Sequence, residues 1–306
     1  MRFLEGEGAL RRPFSRPNHM QNLAILRGSA YGLGVASIEK FLDEHLASGR
    51  ETFTRREIAA ELTLTTSGLE SALTRLGARH RIVSPYKNFY VILRPEDVVI
   101  GASDVDRWID ALMKHLGLDY RVSLLRAAAL HGSSHQAAMV FQVIVPKQLR
   151  GFEIGRQRIQ FLTQAASQFK AVNQDEFLTR IKSPSGFAKA AGVELTLLDA
   201  ARYSDSAGGI NGVAQMVMTF GDRAVPRRLS QLAVHYETPC VRRLGFLLEY
   251  FQHDKQARAL EAFAAAAKTT VLLDPAAKPV IASLAEDFEK NAKWKLLLNG
   301  EVEIDL

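Results

Sequence analysis

Few side chains in this sequence are spaced for catalysis, and the nearest candidates are histidines and carboxylates. His131-Gly-Ser-Ser-His135 sets two imidazoles four residues apart, which on one helix face can hold a zinc ion. Gly132 ends a helix rather than continuing one, and no Cys, Asp or Glu within ten residues completes a ligand set. The pair therefore reads as a polar helix junction. Glu194, Asp199 and Asp205 are spaced like metal-holding acids of a nuclease, which makes a metal-dependent nucleic-acid enzyme using Glu194 and Asp199 the alternative reading. No lysine stands in register with them, and acids at that spacing commonly ride solvated helix faces. Cys240 follows Pro239 without a supporting motif and reads as a buried structural thiol. The sequence lacks a phosphate-binding loop, a dinucleotide-binding glycine pattern and a nucleophile elbow. No catalytic residue, metal or cofactor is expected, and the chain reads as a binding protein rather than an enzyme.

Phosphate recognition is the chemistry that the residues favour. Between Thr54 and Arg94 stand seven basic residues (Arg55, Arg56, Arg75, Arg79, Arg81, Lys87 and Arg94) against the acids Glu57, Glu61 and Glu70, a large share of the net charge of +6. Hydroxyl side chains are interleaved with them at Thr66, Ser67, Ser71 and Thr74. Short hydroxyls let a helix backbone approach nucleic acid closely, while arginines neutralise phosphates beside the groove. Two further pairs, Arg227-Arg228 and Arg242-Arg243, suggest a second basic surface.

The elements that must position these groups are legible locally. Val35, Ile38, Leu42 and Leu46 recur at helical spacing, and Ser48-Gly49 breaks that helix. Thr54 and Glu57 form a capping box at the start of a second helix. Thr65 caps a third, with Leu64 and Leu69 as a hydrophobic staple and Leu69, Ala72, Leu73 and Leu76 as its buried stripe. Thr66, Ser67, Glu70, Ser71, Thr74 and Arg75 are left outward, and Gly68 within the helix costs about 1 kcal/mol against alanine. Two β-rich runs, from Arg81 and from Phe89, flank a turn at Pro85-Tyr86-Lys87-Asn88. Helix, helix, short turn, helix and basic hairpin is the order of a winged helix-turn-helix, whose third helix enters the major groove. Its expected DNA-binding residues are Arg55, Arg56, Thr66, Ser67, Ser71, Thr74, Arg75, Arg79, Arg81, Tyr86, Lys87 and Asn88.

Beyond a linker at 96–101, the sequence predicts helices over Asp104–Leu116 and Ser123–His131 and strands at Val140–Val145, Phe152–Ile154, Arg158–Leu162 and Phe177–Ile181. A mostly helical stretch follows from Val193. In it Leu195–Tyr203 is a helix, and Ser204–Gly212 is a flexible run before a helix from Val213. Further helices are expected at Leu229–His235, Val241–Gln252, Ala257–Lys268 and around Val280–Phe288. Strands are expected at Thr270–Leu273 and from Trp294 onward. The fold class is α+β, with a winged helix-turn-helix followed by a mixed, largely helical α+β region and no doubly wound sheet. Expected boundaries are an arm over 1–34, the winged helix-turn-helix over 35–97 and a C-terminal α+β domain over 98–306, subdivided near 192. Arg2, Arg11, Arg12 and Arg16 make residues 1–19 a basic arm or tail rather than a secretory leader. A single cysteine and the absence of a long apolar run predict a cytoplasmic protein away from membranes.

Four stretches together resemble the AbiEi antitoxins of AbiE abortive-infection toxin–antitoxin systems. They are Ala127-Ala-Ala-Leu-His-Gly-Ser-Ser-His, Val193-Glu-Leu-Thr-Leu-Leu-Asp-Ala-Ala-Arg-Tyr, Ser206-Ala-Gly-Gly-Ile-Asn-Gly-Val-Ala and Arg242-Arg-Leu-Gly-Phe-Leu-Leu-Glu. The ending from Trp294 to Leu306 and the winged helix-turn-helix in front belong to the same resemblance, which spans Val35 to Leu306. It implies an autorepressor that binds inverted repeats in operator DNA through the winged helix. It also implies a C-terminal region that counters a nucleotidyltransferase toxin without a stable complex and helps DNA binding, in the manner of phage defence. It carries over no catalytic residues, and a ligand-responsive transcriptional regulator without a toxin partner is a second alternative beside the nucleic-acid enzyme. The chain does not resemble the toxin, because neither Gly132-Ser133 nor Gly28-Ser29 is followed by a metal-binding acid pair.

Overall fold

Three hydrophobic clusters organise the chain, one built before residue 93 and two that sandwich a mixed β-sheet. The computed structural model describes residues 38–133, 140–183, 186–277 and 288–302. Val35, the arm over 1–34, His135, the helix expected around Val280 and the last four residues lie outside them.

The first cluster unites helix α1 (38–47), strand β1 (Thr52–Thr54), helices α2 (Arg55–Glu61) and α3 (Thr66–Ala78), and the hairpin β2 (Ile82–Tyr86) and β3 (Phe89–Ile92). Ile38, Phe41, Leu42, Ile58, Leu69, Leu73 and Leu76 meet within it. The capping box of α2 forms as the sequence predicts: the Glu57 amide donates to Thr54 Oγ1 at 3.2 Å, and the Thr54 amide donates to Glu57 Oε2 at 2.6 Å. Thr65 Oγ1 accepts from the Gly68 amide at 3.2 Å. A Cβ on Gly68 would come within 3.0 Å of that hydroxyl, so the glycine belongs to the cap. The three strands pair antiparallel in the order β1-β3-β2. Pro85 lies on the edge strand, at a register shift between Val83 and Tyr86, where a missing amide hydrogen is tolerated. The turn itself is Lys87-Asn88, with Asn88 left-handed at φ 61°.

The second and third clusters lie on opposite faces of a six-stranded sheet ordered β6-β7-β5-β4-β9-β8. Its strands are β4 (Arg121–Val122), β5 (Val140–Val145), β6 (Phe152–Ile154), β7 (Gln157–Thr163), β8 (Leu178–Ser183) and β9 (Gly186–Ala191). Helix α4 (Ile109–Leu116) covers one face with Ile109, Leu112 and Met113, joined by Trp108 just before it. The other face carries α5 (Leu124–Leu130), α6 (Ala166–Val172), α7 (Val193–Arg202) and α8 (Gly209–Phe220). Alternation along β5 sends Phe141, Val143 and Val145 toward α4 and Gln142 toward α5 and the turn before α8. The chain ends in α9 (Pro226–Ala233), α10 (Thr238–Tyr250), α11 (Asp254–Arg258), α12 (Glu261–Ala266) and a small sheet of β10 (Val271–Leu272), β11 (Glu289–Asn291) and β12 (Leu296–Leu298).

The architecture is α+β as expected, with local corrections. Ser204–Gly212 has regular structure: Ser204–Ala207 forms a 3-10 turn, and α8 begins at Gly209. Gly208 and Gly209 take positive φ, and a Cβ on Gly212 would overlap the Ala207 carbonyl, so these glycines permit a tight turn. The expected helix 257–268 is two short helices, and the helix over 104–116 opens as a 3-10 turn that reorients at Trp108.

Candidate nucleic-acid interface and the buried centre behind it

Helix α3 presents the predicted residues outward. Thr66, Ser67, Glu70, Ser71, Thr74 and Arg75 are all exposed, while Leu69, Ala72, Leu73 and Leu76 face the core. Ser67, Ser71 and Thr74 share one side of the helix at i, i+4 and i+7. The Arg75 Nε donates to the Ser71 carbonyl at 3.2 Å, and the Thr74 hydroxyl donates to the Glu70 carbonyl at 2.9 Å, leaving oxygen lone pairs to accept. Arg55 crosses from α2 to Glu70 at 2.9 Å, and its amide donates to the Asn88 carbonyl at 3.0 Å, so one residue links α2, α3 and the turn. Arg56, Tyr86, Lys87 and Asn88 are exposed beside them. Arg79 and Arg81 lie differently: they reach α1, pairing with Glu39 at 3.3 Å and Asp43 at 2.7 Å.

Sequence reasoning missed α4's part. His115 Nε2 donates to the Lys87 carbonyl at 3.1 Å, and its ring lies 5.5 Å from that of Phe89. Lys114 and His115 line a groove of about 820 Å³ with Arg55, Arg56 and Asn88. No local signal sets α4 beside the turn; that placement comes from Phe89 and Val91 packing into the Trp108 cluster. Glu51 reinforces the join, accepting from Arg94 at 2.6 Å and pairing with Arg107.

The carboxylates first weighed as metal ligands are structural. Asp199 is fully buried and accepts four hydrogen bonds: from Arg121 Nε (2.9 Å), Arg121 Nη2 (2.7 Å), Ser123 Oγ (2.7 Å) and the Tyr236 hydroxyl (2.7 Å). This knot ties the central strand β4 to α7 and to the turn before α10. Burial works against the Arg121 charge, but the Asp199 carboxylate more than offsets it and raises the guanidinium's pKa. Burial first, then the same carboxylate, pushes the Tyr236 phenol well above its ordinary range. Glu194 is also buried, accepting from the Val225 amide at 2.7 Å, while Asp205 is exposed. The nuclease reading and the solvated-face reading both fail for Glu194 and Asp199, because neither reaches solvent. Among the described residues, no group of three or more His, Cys, Asp or Glu gathers as a metal ion would require. His131 is a buried junction residue whose Nε2 meets the Ala191 carbonyl at 3.0 Å, and burial lowers its pKa. Cys240 is buried, which pushes its thiol up to about 12.

The second basic surface also needs correction. Arg227 and Arg228 are exposed on α9, but Arg242 is 1% exposed and donates to the carbonyls of Thr269 and Lys295. Arg243 is half-buried and donates to Leu272 at 2.9 Å. These two arginines lie where α10 meets the final sheet, so they cannot track phosphates.

The chain matches no curated protein. A crystal structure from Mycobacterium tuberculosis, titled for the protein RV2827C, shares the fold with a TM-score of 0.60 at 14% identity, over 85% of this chain and 90% of that one. Residues 121–250 match the family model described as the AbiEi antitoxin C-terminal domain. The buried knot at Arg121 and Asp199, the glycine turn before α8 and the α10 arginines all fall within that stretch. Over residues 121–250 the chain is thus similar to the AbiEi antitoxin C-terminal domain.

Proposed function

We propose that the protein is the antitoxin of a toxin–antitoxin system and represses its own operon. Residues 35–97 act as a winged helix-turn-helix on operator DNA, and the region from 98 onward counters a nucleotidyltransferase toxin. The observation that carries the antitoxin reading is the family match over residues 121–250. The DNA reading is supported by the exposed row Thr66, Ser67, Ser71, Thr74 and Arg75 on α3, flanked by Arg55, Arg56, Tyr86, Lys87 and Asn88. Docked with its N-terminal end in the major groove, α3 would offer hydroxyls to base edges and phosphates, and Lys87 would meet the backbone beside it. Arg79 and Arg81 would join only by leaving their α1 partners. The protein acts in this reading as a cytoplasmic binding protein with no cofactor, and its DNA site is an inverted repeat. Among the described residues, no helix is long and apolar enough to cross a membrane.

Two assays test the two halves separately. Arg75→Ala and Lys87→Ala are each expected to weaken operator binding and to reduce the slope of log affinity against log salt by about one unit. An unchanged slope in both would remove α3 and the turn from the interface. Co-expression with the downstream gene should restore growth with the whole chain and with residues 98–306 alone. Failure of both to rescue would withdraw the antitoxin reading and leave the DNA assay standing.

A further inference from the structure

Arg121 and Arg242 are equally hidden, at 0% and 1% exposure, yet only one has a carboxylate. Arg121 faces Asp199. Arg242 Nη1 donates to the neutral carbonyls of Thr269 at 2.7 Å and Lys295 at 3.2 Å, and Nε is sealed from solvent without a partner. Among the described residues no acid pairs with it, and burial lowers its pKa with no carboxylate acting to raise it. An unmatched buried charge is costly unless something neutralises it.

The residue that accepts from this guanidinium opens onto space. Thr269 and Arg242 both line a pocket of about 480 Å³ between α10 and α12. Thr238 and Lys268 add a hydroxyl and an ammonium, Phe263 and Pro239 add apolar walls, and no acid is among the lining residues. Behind the wall, the Lys295 ammonium donates to the carbonyls of Ala265 and Ala267, adding positive charge at the end of α12. The two carboxylates next to lining residues in the chain, Glu237 and Glu261, are held by Arg202 at 2.7 Å and Lys293 at 2.9 Å.

We propose that this pocket binds a small organic anion, a phosphoryl or carboxylate group on an apolar body, with Arg242 and Lys268 meeting the charge and Phe263 and Pro239 covering the body. A planar guanidinium with unused donors suits either anionic group. A DNA phosphate does not fit, because a duplex cannot bring its backbone to an arginine this deeply enclosed. The inference is independent of α3 and of the antitoxin reading.

Calorimetry and thermal denaturation of the full chain would test it, using phenyl phosphate, benzoate and neutral phenol at matched ionic strength. At least one anion should bind saturably and raise Tm, since a ligand specific to the folded state stabilises it, and phenol should do neither. The stronger anion identifies the head group. Arg242→Met should abolish the shift, and Lys268→Ala, at an exposed position, should weaken binding by at least about tenfold. The lysine variant carries the test if the arginine variant does not fold. Absence of saturable binding by both anions, equal binding of phenol, or affinity unmoved by Lys268→Ala would overturn the proposal.

Discussion

Arg55, Arg79 and Arg81 of the N-terminal unit meet their partners at the surface, whereas Arg121 and Arg242, within residues 121–250, are enclosed. Arg55, Arg79 and Arg81 reach Glu70, Glu39 and Asp43 with 30%, 63% and 38% of their side chains exposed. Arg121 and Arg242 are closed off, one on a carboxylate and the other on main-chain carbonyls. An exposed pair is screened and easily exchanged, so its arginine remains available to another anion. A buried one is bound by the desolvation it would suffer if its partner left. Charge near α3 is therefore a surface property open to DNA, and charge at Arg121 and Arg242 is architecture or a closed site.

The largest expected effect lies at the buried pair. Asp199→Ala removes the carboxylate paired with Arg121, leaving its guanidinium with the neutral Gln164 Oε1 at 2.8 Å and stranding two hydroxyls, and should destabilise the protein by about 3–5 kcal/mol. Urea denaturation would read this directly, and a change below about 1 kcal/mol would show that the knot is dispensable. Next comes the packing of α10 on the final sheet. Gly245 faces the Trp294 ring so closely that a Cβ would overlap it, and Trp294 is fully buried with its Nε1 donating to Glu249 at 2.9 Å. Gly245→Ala should cost about 1–3 kcal/mol through overpacking. Retention of native Tm would mean that the ring can shift freely.

Acid should weaken both regions through one histidine each. Burial lowers the pKa of His45, helped by Arg50, and burial lowers that of His131. Below the ordinary value of about 6.5 the unfolded chain binds protons that the folded chain refuses. Stability is therefore full above that pH, falls as pH drops through it, and levels off once the folded histidines also protonate. Tm measured between pH 7.5 and 5 should decline less steeply in His131→Gln and in a His45 counterpart. Identical slopes in native and variant proteins would assign the acid response elsewhere.

The two regions also differ in how far their sequence revealed them. Thr54 with Glu57, Thr65, and the stripe from Leu69 to Leu76 are cues within one helical turn or two of what they specify, so α2 and α3 were readable residue by residue. The central sheet is legible only in part: β5, β6, β7 and β8 fall where strands are expected, but β4 and β9 carry no such cues. Its inner strand β4 is two residues long, and β9 reads Gly-Phe-Ala-Lys-Ala-Ala, a run of weak strand formers stabilised by β8 on one side. Arg121 and Asp199 stand 78 residues apart, and nothing local distinguishes Asp199 from a solvated helix acid. The same non-locality hid Arg242, since its partners Thr269 and Lys295 belong to later elements.

The smallest effect decides where the N-terminal surface ends. Arg79 and Arg81 carry charge of the same sign as Arg75 and lie within six residues of it along the chain. Their guanidinium groups nevertheless reach back to Glu39 and Asp43 on α1. Pairs this exposed contribute roughly 0–1 kcal/mol, so Arg79→Ala and Arg81→Ala should leave stability nearly unchanged. Their effect on DNA should also be smaller than that of Arg75→Ala, because their guanidinium groups reach back to α1 and lie off the row of side chains that α3 presents. Salt titrations of operator binding would rank the three variants. A slope change for Arg81→Ala equal to that for Arg75→Ala would extend the interface around the unit to α1, and would show that a surface ion pair yields its arginine to DNA without measurable resistance.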